Sequence, residues 1–231
     1  MRTLTWRTGI AFGAAFLALC CGAAHANLLT NGSFEIGAPI NGCVAGTTSL
    51  PGWSVTTGNI DILASPSCAL GAAADGVAFI DLTGSYGAGA GTISQSFATT
   101  AGASYTLSFY FGANPDWQYP SMVGGGYAND GPTKSLDVLI DGAQLGSTYS
   151  IDTTGQAWSD PAWHLETTSF VAAGSTTQLT FESLNGANGT VYGPLLDGVS
   201  VVASVPEPGT VTLLLGGLLV LGLKAARRRV A

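Results

Sequence analysis

The sequence predicts an all-β protein built as a β-sandwich or jelly roll. Its central part is rich in Gly, Ser, Thr and Ala, so strand and turn formers outnumber helix formers. Short β-rich runs also recur between turn signals, with no helical period, and this spacing is typical of sandwiches and jelly rolls. The runs cover residues 53–56, 60–63, 77–82, 92–97, 105–111, 136–140, 170–172, 178–183 and 195–202.

Two of these segments carry a more specific signal. Residues 105–111 alternate, which places the odd-numbered side chains, from Tyr105 to Phe111, on one aromatic-rich inner face of a half-buried strand. Asp141-Gly142 follows the run at 136–140 and predicts a two-residue hairpin turn.

The first 26 residues have the layout of a secretory signal peptide. A basic start precedes an apolar run at 9–19 and an Ala24-His25-Ala26 cleavage site, so cleavage after Ala26 would make Asn27 the first mature residue. A lipoprotein with lipid on Cys20 or Cys21 is the alternative. The bulky residue before Cys20 disfavours it.

The last 27 residues, 205–231, combine a proline-rich motif, an apolar stretch and a basic cluster. The apolar residues 211–223 would span roughly 20 Å as a helix, against a hydrocarbon core of about 30 Å, so they predict a short membrane anchor at best. The basic cluster favours a cytoplasmic end. The motif is Pro206, Glu207 and Pro208, and the cluster is Arg227, Arg228 and Arg229.

The order of these three parts resembles the PEP-CTERM sorting signal of Gram-negative bacteria. The resemblance implies export through the inner membrane, transient anchoring by the C-terminal helix, and recognition by an exosortase. Cleavage would fall close to the Pro-Glu-Pro motif and deliver the protein to the cell surface or extracellular matrix. A plain C-terminal transmembrane anchor is the alternative.

Removal of both ends changes the charge of the chain. The whole chain has a net charge of −7. Between Asn27 and Val205, however, there are thirteen Asp and Glu residues and one basic residue, Lys134, which gives a net charge of −12. Nucleic acid is therefore disfavoured as a partner, because phosphate binding needs clustered cations. Acidic polysaccharide would be repelled, whereas neutral polysaccharide, cations and proteins remain. The length of residues 27–204 suits one domain.

Two cysteines remain after processing, Cys43 and Cys68. In an oxidising compartment we expect them to form a structural disulfide, worth roughly 3.5 kcal/mol in the chain-entropy account.

Residues 113–133 form an unusually long predicted loop, and long ordered loops usually have a function. Its aromatic side chains suit stacking on a sugar ring, and its polar ones suit hydrogen bonds to hydroxyl groups. The alternative is that the first two aromatic residues only pin the loop to the sandwich. The predicted ligand-binding residues are Trp117, Tyr119, Tyr127, Asp116 and Asn129.

The core resembles the galactose-binding-like jelly rolls, in particular the choice-of-anchor C group of PEP-CTERM proteins and a related plant cell-wall domain. The resemblance rests on Asn31-Gly32-Ser33-Phe34-Glu35, Pro51-Gly52-Trp53, Ile80-Asp81-Leu82, Ile93-Ser94-Gln95-Ser96-Phe97 and Gly193-Pro194-Leu195-Leu196-Asp197. It implies a sandwich whose terminal strands are neighbours, and a surface or matrix role that is often related to carbohydrate.

The same resemblance implies a structural Ca²⁺ that ties the first strand to the last through Glu35 and Asp197. Carboxylates are suitable ligands for this hard cation. The alternative is that Glu35 faces solvent and Asp197 caps a turn.

Catalytic patterns are scarce. The mature chain has a single histidine, His164, and no serine-hydrolase elbow; we expect His164 to be partly buried and hydrogen-bonded. The leading hypothesis is a non-enzymatic, exported glycan-binding protein associated with exopolysaccharide or biofilm. The alternatives are a structural or adhesive matrix protein that binds other proteins and, third, an extracellular hydrolase.

Overall fold

Thirteen β-strands are the regular elements in the described part of residues 27–204. The computed structural model describes residues 26–40, 42–65, 70–85, 88–115, 131–157, 159–186, 189–204 and Gly217. The strands in these ranges are β1 (Cys43–Thr47), β2 (Ser49–Leu50), β3 (Trp53–Thr57), β4 (Ile60–Ala64), β5 (Ala78–Asp81), β6 (Thr92–Ala98), β7 (Ser104–Ala113), β8 (Thr133–Ile140), β9 (Ala143–Gln144), β10 (Tyr149–Asp152), β11 (His164–Val171), β12 (Thr176–Ser183) and β13 (Pro194–Ala203).

The strands form two antiparallel sheets packed face to face. The first sheet has the order β1-β4-β5-β13-β7-β11, and the second has the order β10-β8-β12-β6-β3-β2, with β9 paired to β8. From β6 to β8 and from β11 to β13 the chain changes sheet at each connection. This arrangement is a jelly-roll sandwich, which confirms the predicted fold class.

The main core lies between the sheets and is supplied by alternating residues. In β7 the predicted inner face is confirmed, because Tyr105, Leu107, Phe109 and Phe111 are buried while the residues between them are half-exposed. Phe109 makes an edge-to-face contact with Phe181 of the opposite sheet at 5.1 Å between ring centroids. Such an aromatic pair stabilises the fold beyond the contribution of the apolar area that it buries.

A second, smaller core lies on the outer face of the first sheet. Leu63, Leu70, Phe79 and Leu195 cluster there under Trp163, whose ring meets Phe79 edge-to-face at 5.4 Å. This cover explains why β4 and β5 are buried on both faces. No pattern in the sequence predicted this second core.

The first mature residues lie along the last strand, β13. The terminal strands themselves are not the neighbours that the resemblance implied, because β4 and β5 separate β1 from β13. The Asn27 side chain donates to the Val199 carbonyl at 2.9 Å and accepts from the Val201 N–H at 2.9 Å. The backbone continues the contact: the Leu28 N–H donates to Val201, and the Val199 N–H donates to Gly32. We call residues 27–36 the clasp.

The clasp is also bonded to the second sheet. The Gln95 side chain of β6 exchanges two hydrogen bonds with the backbone of Thr30, at 2.7 and 2.9 Å. The Trp53 Nε1–H of β3 donates to the Asn31 carbonyl at 3.0 Å, and the Asn31 side chain donates to Pro51 at 2.8 Å. The clasp therefore joins the two sheets.

The predicted strands correspond to observed ones, with shifted ends, and the hairpin at Asp141-Gly142 is confirmed. Strands β1, β2 and β10 have no counterpart among the predicted runs, and only the end of β11 was predicted. Strand β11 is an exposed edge strand with polar residues, so its hydrophobic period is weak. The expectation that His164 is partly buried was wrong, because His164 is exposed where this edge strand begins.

Several predictions fall outside the described residues. They concern most of the signal peptide at 1–26, the apolar and basic parts of the tail at 205–231, and Cys68, so the disulfide between Cys43 and Cys68 stays a prediction. Cleavage between Ala26 and Asn27 also stays a prediction. Among the described residues, no helix has the length and apolar character to cross a membrane.

Replacing Gly32 by Ala should destabilise the domain strongly. The added methyl group would overlap the Val199 carbonyl oxygen, which is backbone and cannot rotate away. We expect a loss of about 2 kcal/mol or more, in the range of severe overpacking, measured by denaturant unfolding of the exported domain.

Gly174→Ala is the matched control, since its methyl group would have no atom closer than 3.7 Å. Equal stability of the two variants would contradict the role of the clasp.

Candidate functional site

The predicted ligand-binding loop emerges from one end of the sandwich. Its residues Asp116, Trp117, Tyr119, Tyr127 and Asn129 lie outside the described residues, so their positions stay predictions. The structure does describe where the loop begins and ends. The chain leaves β7 through residues 113–115 and returns to β8 through residues 131–133. We call this end of the sandwich, together with residues 153–157, 159–161 and 189–193 beside it, the loop end.

Buried hydrogen bonds hold the beginning of the loop. The Asn114 N–H donates to the Gly193 carbonyl at 3.0 Å, and the Ala113 N–H donates to Pro161 at 2.9 Å. The Asn114 side chain donates to Asp81 Oδ2 at 2.8 Å. Asn114 and Asp81 are both buried, so the loop begins from a fixed point.

Asp81 belongs to a pair of carboxyl groups on β4 and β5. Asp61 is its direct cross-strand partner. Burial raises the pKa of Asp81 well above its ordinary value, and the charge of Asp61 raises it further. Asp81 accepts hydrogen bonds from the Thr83 and Gly193 backbones, and Asp61 accepts from both the N–H and the hydroxyl of Ser85. The pair therefore anchors neighbouring loops.

Asn185 and Thr153 hold the other end of the loop. Asn185 Oδ1 accepts from the Ser135 N–H at 2.7 Å, and Asn185 Nδ2 donates to the Thr133 carbonyl at 3.0 Å. The Thr153 hydroxyl donates to the Pro132 carbonyl at 2.8 Å. Both ends of the loop are thus fixed by side chains from other strands and loops.

Lys134, the one Lys or Arg between residues 27 and 204, is fully buried at this end. Its Nζ donates to the Gly131 carbonyl at 2.9 Å and lies 5.9 Å from the centroid of the Tyr192 ring. Across the described parts of the mature chain, no Lys or Arg is therefore exposed. Such a surface offers no cluster of cations to bind phosphate groups.

Glu35 and Asp197, the predicted calcium ligands, both bind backbone N–H groups of residues 74–78. Glu35 Oε1 accepts from Val77 at 2.8 Å and from Ala78 at 2.9 Å. Asp197 Oδ2 accepts from Ala74 and Asp75, both at 2.8 Å. No group of three or more His, Cys, Asp or Glu suited to a metal occurs in the described ranges.

The arrangement of Glu35 and Asp197 does not favour a cation. N–H groups point their positive ends at Glu35 Oε1 and at both oxygens of Asp197, so these oxygens already have partners other than a cation. The calcium site therefore stays a prediction of the resemblance, and the hydrogen bonds offer a different role for its two residues. They attach residues 74–78 to the clasp and to β13.

Removal of calcium should leave stability unchanged. If N–H groups satisfy Glu35 and Asp197, the melting midpoint of the exported domain will be the same in EDTA and in millimolar Ca²⁺. A midpoint that falls in EDTA and recovers with Ca²⁺, but not with Mg²⁺, would contradict this interpretation and support the ion.

Stability should decrease as pH rises toward neutrality. Burial raises the pKa of Asp197 to about 7, although three backbone N–H groups lower it part of the way. The folded protein thus keeps a proton that the unfolded chain loses near pH 4. The free energy of unfolding is highest below that pH and falls by about 2–3 kcal/mol between pH 5 and pH 8.

Denaturant unfolding across this range measures the effect. Asp197→Asn is the control: it should be less stable at pH 5, because it keeps one acceptor oxygen, and should show a flatter profile. Asp81 contributes in the same direction, so some slope should remain in the variant. Equal slopes for wild type and Asp197→Asn would exclude Asp197 as the titrating group.

Solved structures with a similar fold have low sequence identity to this chain. A family 35 carbohydrate-binding module from Clostridium thermocellum is 13% identical, with a TM-score of 0.41 over 70% of this chain and 98% of its own. The module TmCBM61, solved with β-1,4-galactotriose, is 16% identical, with a TM-score of 0.46 over 78% and 99%.

An arabinose-bound GH51 α-L-arabinofuranosidase, MgGH51, is 14% identical, with a TM-score of 0.46 over 79% of this chain and 27% of its own. TM-scores below 0.5 at this identity transfer neither a ligand nor an activity. No curated protein matches the sequence.

Two family models match the chain. The PEP-CTERM protein-sorting motif matches residues 204–229, which confirms the sorting signal recognised in the tail. The model described as a protein of unknown function, DUF642, matches residues 27–202, which is most of the mature chain. The choice-of-anchor C type stays a prediction. The protein belongs to the DUF642 family and carries a PEP-CTERM sorting motif.

Proposed function

We propose that the protein is a non-enzymatic surface protein that binds glycan through the loop at the loop end. The observation that carries the proposal is the buried hydrogen-bond network at both ends of that loop. A long segment with three aromatic residues leaves and re-enters the sandwich at fixed points, at Asn114 and Thr133. Binding residues on loops need such a rigid base to hold them in place.

The sorting motif supplies the location. It indicates export and sorting to the cell surface in Gram-negative bacteria. In our proposal the signal peptide is removed after Ala26, and an exosortase is a transient partner that cleaves near Pro206-Glu207-Pro208. The released domain then lies in the exopolysaccharide matrix or biofilm.

Charge restricts the ligand to a neutral or mixed polysaccharide. The exported domain carries −12, and its single Lys is buried, so an acidic polymer meets repulsion without an exposed cation in the described region. Trp117, Tyr119 and Tyr127 would stack on sugar rings, and Asp116 and Asn129 would hydrogen-bond to hydroxyl groups. Aromatic and polar side chains together suit a ring that has both an apolar face and polar edges.

The buried carboxylates support a role without catalysis. Glycoside hydrolysis needs two carboxyl groups roughly 5 to 9.5 Å apart that a substrate can reach. Asp61 and Asp81 are neighbours, but both are buried, and their oxygens accept hydrogen bonds from the protein. They are therefore poorly placed to act on a polysaccharide.

Trp117→Ala should weaken binding to neutral polysaccharide at least tenfold, the equivalent of about 1.4 kcal/mol. Affinity electrophoresis of the exported domain in gels that contain the cell's own exopolysaccharide measures this. Val171→Ala is the control: Val171 is 62% exposed at the end of β11 that pairs with Ser104, away from the loop end, so its removal tests for general apolar adhesion. No binding at all, or binding that Trp117→Ala leaves intact, would refute the proposal.

The second candidate is an adhesive matrix protein that binds other proteins. It is favoured by exposed apolar side chains on the edge strand β11, where Leu165 is 59% and Val171 is 62% exposed. Exposed Thr167 and Ser169 separate them on the same face, so they do not form a continuous apolar patch. Loss of matrix retention in Leu165→Ala, with Trp117→Ala unchanged, would favour this candidate.

A further inference from the structure

Three neighbouring segments at the end of the sandwich opposite the loop end carry no charged residue. They are residues 98–104 between β6 and β7, residues 171–176 between β11 and β12, and residues 203–204 after β13. We call these segments the neutral end. Its composition is Ala, Gly, Ser, Thr and one Val, in a domain that otherwise carries thirteen carboxyl groups.

Hydrogen bonds join the turns of the neutral end to each other. The Thr99 N–H donates to the Ser175 carbonyl at 3.0 Å, and the Gly102 N–H donates to Ala172 at 2.8 Å, so the two turns brace each other. Asp141 lies beside Gln178, which is two residues further along β12 than Thr176. Asp141 and Gln178 exchange hydrogen bonds at 2.9 and 2.8 Å. Asp141 is therefore an exposed charge at the tip of the β8–β9 hairpin, about 7 Å along β12 from the neutral end.

The sorting motif begins at this end. The Ser204 N–H donates to the Ser104 carbonyl at 2.8 Å. This bond holds Ser204, the residue after β13, at the start of β7. The motif match starts at residue 204. Pro208 cannot be more than about 14 Å from Ser204, and the apolar stretch that begins at Val211 not more than about 25 Å, whatever the path of the chain.

The loop end lies at the far end of the same strand. Strand β13 begins with Pro194, which pairs with Ala113 at the start of the loop, and ends with Ala203. Ten residues at about 3.3 Å each separate the two ends by roughly 30 Å.

We propose that the neutral end faces the bilayer surface while the tail is inserted, with the loop end directed away from it. The tether spans at most about 25 Å, and the loop end lies roughly 30 Å further along β13, so the surface around residue 204 is the part of the domain that the tether keeps nearest to the lipid headgroups. Anionic headgroups repel carboxylates within a Debye length of about 8 Å. Uncharged segments around residue 204 let this acidic domain approach the membrane during sorting. The inference rests on the sorting motif and not on glycan binding.

Energy transfer in vesicles tests this orientation. The full-length chain is reconstituted in phosphatidylethanolamine–phosphatidylglycerol vesicles whose headgroups carry an acceptor dye. A donor is attached through an azide-bearing amino acid at Ala101 in the neutral end or at Ala157 in the loop end. Both alanines are exposed. We expect strong transfer from position 101 and weak transfer from position 157.

Added charge gives a second measurement. Ala173→Asp with Ser175→Asp should lower the transfer from position 101 at low salt, and high salt should restore it, because the repulsion is screened. Ala157→Asp with Ser159→Asp is the matched pair at the loop end and should have no effect. Equal transfer from positions 101 and 157, stronger transfer from 157, or failure of the chain to enter the vesicles would overturn the proposal. No glycan is present, so these outcomes leave the proposed ligand untouched.

Discussion

The clasp is the contact on which the rest of the sandwich depends. Residues 27–36 are bonded to β13 in the first sheet and to β3 and β6 in the second, so a single short segment joins both layers. It can lie this close to β13 because Gly32 has no side chain to meet the Val199 carbonyl. Asn31, Gly32 and Trp53 belong to the motifs by which the core was recognised. In the structure these residues join the two sheets.

The sequence was sufficient for the elements whose side chains have one clear role. Strand β7 alternates because one of its faces is buried, and Asp141-Gly142 is a turn because Gly142 and Asp141 both adopt positive φ. Strand β11 was largely missed because an edge strand has one partner and exposes most of its residues. The fixed ends of the loop were missed as well, because Asn114 and Asp81 are far apart in sequence and their contact depends on the fold.

The roles of Glu35 and Asp197 also depend on contacts that the sequence does not reveal. Their motif positions implied that they bind calcium, but a carboxylate is equally suited to bind Ca²⁺ or to accept hydrogen bonds from backbone N–H groups. What distinguishes the two roles is the segment 74–78, whose backbone N–H groups the fold brings to both side chains. The local sequence around Glu35 or Asp197 does not predict that contact, because their partners lie about 40 and 120 residues away.

The account separates a binding end from an attachment end on one rigid sandwich, and its central claim is that ligand contacts concentrate at the loop end. Amide chemical shifts of the isotopically labelled exported domain, titrated with fragments of the cell's own exopolysaccharide, test that claim most directly. The account predicts perturbations within residues 114–132 and in the neighbouring residues 153–157, with the clasp unchanged. Perturbations centred on the clasp or the neutral end, with none at the loop, would contradict it.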